Sequence, residues 1–369
     1  MAYYLFPLVI CLFSAAYYDF QQKKGHQGLV WSIIFMYLTI LIGIRYEVGG
    51  DTYNYMTYYV DYPKLENLEI SPTDLFQPFF AFLFSLAKTI SKEFYVFQLI
   101  HVFIFNTMLF LFIVKNTPYR FCALSFTFVL CYLYFTTEIM RESLAVMVFA
   151  FTYRYLLEKR WVRYYIGVFL ACMFHISACV LLLLPLVSKV KMNSRFFLLL
   201  ALVPVLMFLY QGVWDYLAQI STLFAEKKAI YYEGGYGGHL YSLLNFLKYV
   251  FFPLFVLFLY KRSRKECIYE NALCIIALLG LCAILHPVVF ARFINYFLPF
   301  LIISFSNLVG DYIVSKRKVL VRNAKIVIMV SFFIYGSYYV HLKAYTLWCP
   351  YYSYLNPVSV QRYYFSLFD

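Results

Sequence analysis

The stretch LVWSIIFMYLTILIGIRYEVGGDTYNYMTYY, residues 29–59, passes abruptly from apolar to polar sequence. Its first part, 29–44, contains no charged residue. The charged residues that follow are Arg45, Glu47 and Asp51, which stand among two glycines and a series of tyrosines. Such an uninterrupted apolar run predicts a helix that crosses a membrane, because a helix satisfies its own backbone within lipid. Arg45 therefore marks the end of the hydrocarbon and the start of a polar surface.

The composition extends this pattern to the whole chain. Of its 369 residues, 64% are hydrophobic and only 13% are charged. The apolar residues form blocks of roughly 16 to 21 residues between short basic clusters. Soluble folds are thereby excluded, and the prediction is an all-α polytopic membrane protein with a single integral membrane domain over 1–369. The first apolar run has no basic residue before it, which predicts a retained first span with its N-terminus outside.

The membrane also explains the charge and the cysteines. The net charge of +13 is distributed between apolar blocks and forms no continuous stripe, so membrane topology accounts for it and no nucleic-acid partner is expected. The nine cysteines lie almost all in apolar segments, without a C-x-x-C pair. They are interpreted as small buried hydrophobic residues, and only Cys349 looks external.

Basic clusters orient the predicted spans, since cytoplasmic loops of membrane proteins are enriched in lysine and arginine. We take the clusters at 158–163, 261–266 and 315–325 as cytoplasmic. The chain then crosses the membrane about twelve times, with both termini outside. The predicted spans are 2–18, 29–44, 94–114, 121–137, 142–157, 164–174, 176–187, 196–212, 242–260, 270–286, 293–313 and 325–342.

This threading predicts three external segments. They are loops near 45–93 and 213–241 and a C-terminal tail over 343–369. Within the first loop, LFQPFFAFLFSLAKTI (75–90) is short, contains Pro78 and ends near a lysine. Counting it as a span would invert the orientation on one side of it relative to the basic clusters. We therefore interpret it as an interfacial helix on the outer face.

The region 164–187 leaves two topologies open. Two apolar runs flank His175, and each is only about 12 residues long, which is short for a span. They predict either two tilted helices that meet at the outer surface or one continuous helix. The second interpretation reverses the orientation of every span that follows.

Ionisable residues recur at one face of this threading. Such residues near membrane depth are costly, and several at one level usually mark a site, although each alone is equally explained as a helix-end residue reaching water. Glu138, Arg141 and Glu142 are three and four residues apart, so a helix that begins early enough would place them on one face. The residues at this face are Arg45, Glu47, Asp51, Glu138, Arg141, Glu142, His175, His286 and Arg292.

These residue types suit chemistry on a lipid diphosphate. Two or three arginines that face one cavity can grip a diphosphate in bidentate fashion. An aspartate or a histidine can take a proton from a hydroxyl. Tyrosines such as Tyr53 and Tyr55 offer flat faces to sugar rings, although membrane-interface belts use the same residues. The outer loops lack a D-x-D pair and the chain lacks a phosphate-cradling glycine motif, which argues against metal dependence and ATP hydrolysis.

Four segments resemble the EpsG-type, Wzy-like polymerases of bacterial exopolysaccharide, capsule and O-antigen. RYEVGGDTYNY (45–55) is similar to that family's R-x-x-x-G-x-D-x-x-x-Y, and LACMFHISACVLLLLPL (170–186) is similar to its A-x-x-F-H-x-S segment. EIMRESLAVMVFAF (138–151) resembles its I-R-Q-x-x-A segment, with Glu142 where the family usually has glutamine. The fourth segment is ARFINYFLP (291–299).

The resemblance implies a metal-independent membrane glycosyltransferase of GT-C-like architecture, without a cofactor. Its donor and acceptor would be oligosaccharides linked to undecaprenyl diphosphate, at the outer face of the bacterial cytoplasmic membrane. Expected partners are the lipid bilayer, a chain-length regulator and a flippase. Asp51 is the expected general base, with His175 second. The expected diphosphate- and substrate-binding residues are Arg45, Arg141, Arg292, Glu138, Glu142, Tyr53 and Tyr55.

A long external loop over 212–241 contains the sequence GGYGG. We predict that it is a mobile flap over the sugar cavity, and a plain connector is the alternative. Its predicted hinges are Gly234, Gly235, Gly237 and Gly238.

Other classes of protein fit parts of this pattern. A flippase or transporter of lipid-linked sugars also needs a polar cavity, but it normally shows internal repeats and opens on both faces. A membrane O-acyltransferase would use a histidine such as His175 with access from the cytoplasm, opposite to the placement above. A ligase that moves finished polymer to another acceptor differs from a polymerase only through the motif resemblance.

Overall fold

A computed structural model describes residues 2–70, 76–203, 205–206, 209, 239–285, 287–315, 325, 328, 348 and 351–357. Throughout these residues the regular secondary structure is helical, and extended pairing is limited to isolated bridges of Ser353 with Arg45 and with Asn356. The predicted all-α class is confirmed for the described residues. The four predicted hinge glycines, His286 and Cys349 lie outside them, as does most of the predicted span 325–342.

The helices are named here in chain order. The first group is α1 (Ala2–Ser14, continued by a π-helical turn, Ala15–Phe20), α2 (Gln27–Gly43), α3 (Thr52–Asp61), α4 (Pro78–Ile90), α5 (Phe94–Asn116) and α6 (Arg120–Thr137). The second group is α7 (Met140–Leu157), α8 (Trp161–Cys172), α9 (Ile176–Val187) and α10 (Ser194–Val203). The third group is α11 (239–262, with a π-helical turn at Leu247–Phe251), α12 (Glu270–Leu285), α13 (Pro287–Asn295) and α14 (Leu298–Val314).

The chain divides into two compact units, Met1–Leu182 with Phe305–Arg362 and Leu183–Ser304 with Tyr363–Asp369. In the first unit, α5 packs against α2, α4 and α7, and α7 packs closely against α8. In the second unit, α12 packs against α11 and α13. Arg292 belongs to the second unit, and the other predicted catalytic and binding residues belong to the first.

The described helices are those of a membrane protein. Among the described residues, four helices are long and apolar enough to cross a bilayer, and α13 and α14 make a fifth candidate if this pair, bent by 52°, is one broken span. Shorter apolar helices include α2, whose 17 residues extend about 25 Å. The predicted total of about twelve spans and the GT-C-like architecture stay predictions. The four long candidates are Tyr3–Phe20, Phe94–Asn116, Arg120–Thr137 and Ser242–Arg262.

The region 164–187 forms two short helices that fold back on each other. α8 ends at Cys172, and the chain reverses before α9 begins. The Tyr164 hydroxyl donates to the Leu181 carbonyl at 2.5 Å, and the Cys172 and Cys179 sulfurs lie 3.3 Å apart. One continuous helix would separate Tyr164 from Leu181 by about 25 Å. The continuous-helix alternative is therefore wrong, and His175 lies at the tip of a helical hairpin.

The segment predicted to be an interfacial helix forms α4. It begins at Pro78, as suits a residue with a fixed φ. Its 13 residues extend about 20 Å, too short to cross about 30 Å of hydrocarbon. Phe84 packs against Phe97 of α5 with ring centres 4.6 Å apart, and Lys88 donates to the Tyr59 carbonyl in the last turn of α3 at 2.8 Å. These contacts hold α3, α4 and α5 together, while the depth of α4 in the membrane stays a prediction.

A buried asparagine connects three helices of the first unit. The Asn106 side chain, in α5, donates to the Thr39 hydroxyl of α2 at 2.9 Å. It also accepts from the Tyr132 hydroxyl of α6 at 3.0 Å. All three residues are buried. Because hydrocarbon offers no alternative partners, hydrogen bonds between apolar helices help to set which helices associate.

We expect Asn106→Leu to lower the free energy of unfolding by about 1 to 2 kcal/mol, because it removes both interhelical bonds and leaves the Tyr132 hydroxyl buried without its acceptor. Thermal unfolding of the purified protein in detergent measures the change. The control is Thr107→Ala on the same helix, because the Thr107 hydroxyl bonds to Phe103 of its own helix. Equal stabilities of the two variants would contradict the interhelical role of Asn106.

Candidate functional site

Arg45 closes the loop that follows α2. Its guanidinium is fully buried, and it donates to the carbonyls of Ile42 at 2.7 Å and Val48 at 3.1 Å. A third contact runs from Nη2 to the Met140 sulfur at 3.3 Å. Burial lowers the pKa of Arg45 to about 10, so the group stays charged at neutral pH. Arg45 was predicted to bind substrate, and in the structure its guanidinium binds protein atoms at the start of α7.

Gly49 lets this loop approach the end of α6. Its φ is +107°, a region that L-residues rarely adopt, and a Cβ there would lie 2.6 Å from the Thr137 Cβ. The Thr52 hydroxyl bridges the same contact, with distances of 2.7 Å to the Val48 carbonyl and 3.3 Å to the Thr137 carbonyl. Gly50 differs, because a Cβ there would meet Glu138 at an ordinary 3.6 Å. The close approach that Gly49 makes is therefore to Thr137 of the protein itself.

Asp51 is exposed and occupies the position immediately before α3. One face of α3 buries Thr52, Tyr55 and Tyr59, at spacings of three and four residues. Tyr53 lies on the exposed part of the helix, with 54% of its surface accessible. The two tyrosines predicted to bind sugar therefore differ: Tyr53 faces outward and Tyr55 faces the protein.

Arg141 lies at the start of α7, beside the buried face of α3. Its Nε donates to the Tyr55 hydroxyl at 3.2 Å, and its guanidinium lies over the Phe76 ring at 5.3 Å. The side chain is half-buried. A ring face and a tyrosine hydroxyl thus help to fix the position of the cation.

The acidic residues next to Arg141 do not form the predicted helical face. α7 begins at Met140, so Glu138 lies before the helix and the condition for a shared face is not met. Glu138 instead packs beside Gly50. Glu142 is buried in the first turn of α7, where the helix N-terminus favours negative charge.

Met140 is held from two sides, and this placement positions Arg141. Arg45 contacts its sulfur, and His101 Nε2 lies 2.8 Å from its carbonyl oxygen. A carbonyl only accepts, so His101 donates through Nε2. Sequence analysis missed His101, which is fully buried in α5 together with Gln98 one turn earlier. The available signal was an ionisable residue in the middle of a predicted span.

His175 is oriented by Ser177. Its Nδ1 lies 2.6 Å from the Ser177 hydroxyl and 3.3 Å from the Ser177 backbone nitrogen. Because a backbone N–H only donates, Nδ1 accepts, and the proton of the neutral imidazole is on Nε2. The hairpin tip also contacts α4, where the Phe79 N–H donates to the Met173 carbonyl at 3.0 Å. His175 thus lies beside the helix that follows Phe76, the ring under Arg141.

A C-terminal segment covers the Arg45 loop. The Tyr46 N–H donates to the Tyr352 carbonyl at 2.9 Å, and the Tyr354 N–H donates to the Ile44 carbonyl at 3.0 Å. The Trp348 indole donates to the Thr137 hydroxyl at 3.1 Å. Sequence analysis predicted an external tail here and gave no indication of this pairing. We call residues 351–356 the strap.

The second unit contains Arg292, which is exposed on α13. Asn295 and Tyr296, three and four residues further along the chain, are buried. The joint action of Arg292 and Arg141 stays a prediction. In the part of the chain that the structure describes, no three His, Cys, Asp or Glu side chains gather as metal ligands.

The helices define a class, a polytopic membrane protein, in which Arg141 at the start of α7 bonds to Tyr55 of α3 and Glu138 lies beside Gly50. A family model describes the chain more closely. It matches residues 28–353, and the chain belongs to the EpsG family. No curated protein and no solved structure matched the chain. Membership of the EpsG family suggests a role as a polysaccharide polymerase.

We expect Gly49→Ala to lower the free energy of unfolding by more than about 2 kcal/mol, because the positive φ and the contact with Thr137 both oppose a Cβ. Gly50→Ala is the matched control, and we expect a change within about 0.5 kcal/mol. Unfolding of the two variants in detergent measures the difference. If Gly49→Ala were as stable as Gly50→Ala, the close approach of the loop to Thr137 would be wrong.

Proposed function

We propose that this chain polymerises lipid-linked oligosaccharide repeat units at the outer face of the bacterial cytoplasmic membrane. The growing glycan leaves undecaprenyl diphosphate and joins the non-reducing end of a new lipid-linked unit. Family membership supports the class of reaction. The observation that carries the site is Arg141, half-buried and held by Tyr55 and Phe76 next to the start of α3.

In this proposal Arg141 stabilises the leaving group. When the bond from the anomeric carbon to the diphosphate oxygen breaks, its electron pair stays on the diphosphate. A guanidinium fixed in advance near the membrane surface lowers the energy of that developing charge more than mobile water does. The contacts of Arg141 with Tyr55 and Phe76 contribute to the fixed position of the guanidinium. Arg292 is the proposed second cation.

Asp51 is the proposed general base. The acceptor hydroxyl oxygen forms the new bond to the anomeric carbon, and its proton passes to the Asp51 carboxylate. Two features support this role: the carboxylate is exposed at the start of α3, and Gly50 beside it packs against Glu138 at the corner that carries Arg141. Tyr53, exposed on the first turn of α3, is the proposed contact for a sugar ring.

His175 is proposed as a hydrogen-bond donor to substrate, in place of the second base expected from the sequence. The nitrogen without a proton, Nδ1, accepts a hydrogen bond from Ser177. In this proposal Nε2–H therefore donates to a diphosphate or glycan oxygen. The same contact disfavours an acyltransferase, which would need a basic histidine nitrogen to activate a hydroxyl.

Arg45 and His101 are proposed as positioning residues. Both bind Met140, one residue before Arg141. Glu142 in the first turn and Glu138 at the corner set the local charge around Arg141. This division gives Arg45 an indirect role, because its buried guanidinium is bonded to protein carbonyls.

The proposal is tested by Arg141→Ala in a strain that lacks the chromosomal copy. We expect the polysaccharide ladder to collapse to single repeat units attached to their acceptor, with polymerisation reduced at least about 100-fold. Arg154→Ala is the control, because Arg154 lies on the same helix but is exposed. Complete loss of surface sugar would favour a flippase or ligase, and an unchanged ladder at normal protein level would overturn the proposal.

The role of His175 is tested by two substitutions. We expect His175→Gln to retain a measurable fraction of polymerisation, because a glutamine amide N–H can reach the position of Nε2–H. We expect His175→Ala to lower the rate of polymerisation by about 100- to 1,000-fold, the usual cost of removing one donor that stabilises developing charge. Initial rates with purified protein and lipid-linked substrate measure both. Equal inactivity of the two variants would favour the basic role instead.

A further inference from the structure

The strap and the ends of α1 and α2 line an open cavity of about 340 Å³. This volume lies within the range of small-ligand sites in proteins. Aliphatic side chains of α2 and Leu355 form part of the wall. The rings and small polar side chains that line it are Tyr3, Tyr37, Tyr351, Tyr352, Ser353 and Asn356.

The aromatic part of the lining is held in place before any ligand arrives. The Tyr351 hydroxyl donates to the Leu41 carbonyl at 2.7 Å, and the Tyr37 hydroxyl donates to the Tyr3 carbonyl at 3.2 Å. The Tyr3 and Tyr351 rings also contact each other, with centres 5.2 Å apart. Fixed flat rings with few rotatable bonds lose little entropy on binding and offer large apolar faces.

The polar part of the lining is neutral. Ser353 and Asn356 are paired by the backbone, with the Asn356 N–H donating to the Ser353 carbonyl at 2.9 Å. A hydroxyl and an amide together can both donate to and accept from a ligand hydroxyl. None of the described side chains that line the cavity is charged. An ionic ligand such as a diphosphate is therefore a poor fit.

Two neutral ligand classes remain, a sugar and a lipid chain. A lipid chain would fit the aliphatic wall but would bury the Ser353 and Asn356 side chains against hydrocarbon without partners, which is costly. A sugar offers apolar ring faces to the tyrosines and hydroxyls to the serine and the asparagine. The lining therefore favours a sugar.

One loop connects the wall of the cavity to the residues of the proposed transfer site. Ser353 forms a backbone bridge with Arg45, and Ile44 lines the cavity immediately before it. Arg45 in turn contacts Met140, next to Arg141. A ligand bound under the strap would thus rest on the loop that positions the transfer site.

We propose that this cavity is a second carbohydrate subsite, which binds a neutral sugar of the glycan away from the bond that forms. The inference rests on the proposed function and adds a place where the polymer is retained between additions. Retention at a second point raises the effective concentration of the chain end, so successive additions become more frequent than release. The subsite therefore sets product length, while Arg141 and Asp51 carry out transfer.

The test uses the full-length protein in nanodiscs and a neutral oligosaccharide released from the host's own polysaccharide, without lipid or diphosphate. Ser353→Ala combined with Asn356→Ala is expected to weaken its binding at least tenfold, measured by calorimetry. Asn67→Ala, an exposed asparagine outside the cavity, is the control and is expected to bind as wild type. In cells the double variant is expected to make shorter chains at normal total sugar.

Two results would overturn the subsite. One is unchanged oligosaccharide binding by the double variant, and the other is displacement of the oligosaccharide by a polyprenol without sugar, which would assign the cavity to a lipid chain. This outcome is separate from a failure of the proposed function. Binding of free oligosaccharide requires no turnover, whereas the Arg141→Ala ladder reports on polymerisation alone.

Discussion

The burial of one charged group, the guanidinium of Arg45, is the constraint on which the site depends. Removing such a cation from water costs several kcal/mol unless its donors are satisfied. The carbonyls of Ile42 and Val48 accept from it, and these lie on either side of the arginine in the chain. Satisfying both requires the chain to turn sharply after α2. This turn places Gly49 against the end of α6, and α3 begins directly after Asp51.

The two arginines of the first unit illustrate how environment separates roles within one residue type. Arg45 has no exposed surface and is hydrogen-bonded to carbonyls and a sulfur, so its charge is stabilised by atoms of the protein itself. Arg141 is half-buried, with a tyrosine hydroxyl on one side and an aromatic face on the other. These two contacts restrict where Arg141 points. A cation held in this way is suited to an anionic ligand, because little reorganisation is needed when charge develops.

Sequence reasoning located most elements of the first unit and several of their limits. The apolar block 29–44 corresponds to α2, and the proline-containing segment forms the short helix α4. Asp51 precedes the first residue of α3, and Arg141 bonds to Tyr55 one turn further along that helix, while the joint action of Asp51 and Arg141 stays a prediction. The sequence did not predict whether the chain reverses at His175. Two apolar runs of helix-forming residues have the same hydropathy pattern in a hairpin and in one continuous helix. The contacts of His101 and of the strap were not predicted, because their hydrogen-bond partners are distant in sequence.

The sequence by itself determined the membrane class, the positions of the helices and the residue types at the polar face. Hydropathy and charge are properties of short segments, and lipid leaves those segments little choice but the helix. Only the tertiary structure decided which arginine is buried and which is presented, which histidine nitrogen carries the proton, and that the strap covers the Arg45 loop. These outcomes depend on hydrogen-bond partners from remote segments, such as Met140 for Arg45 and Tyr352 for Tyr46. A linear pattern contains the donors and acceptors, but packing decides which of them meet.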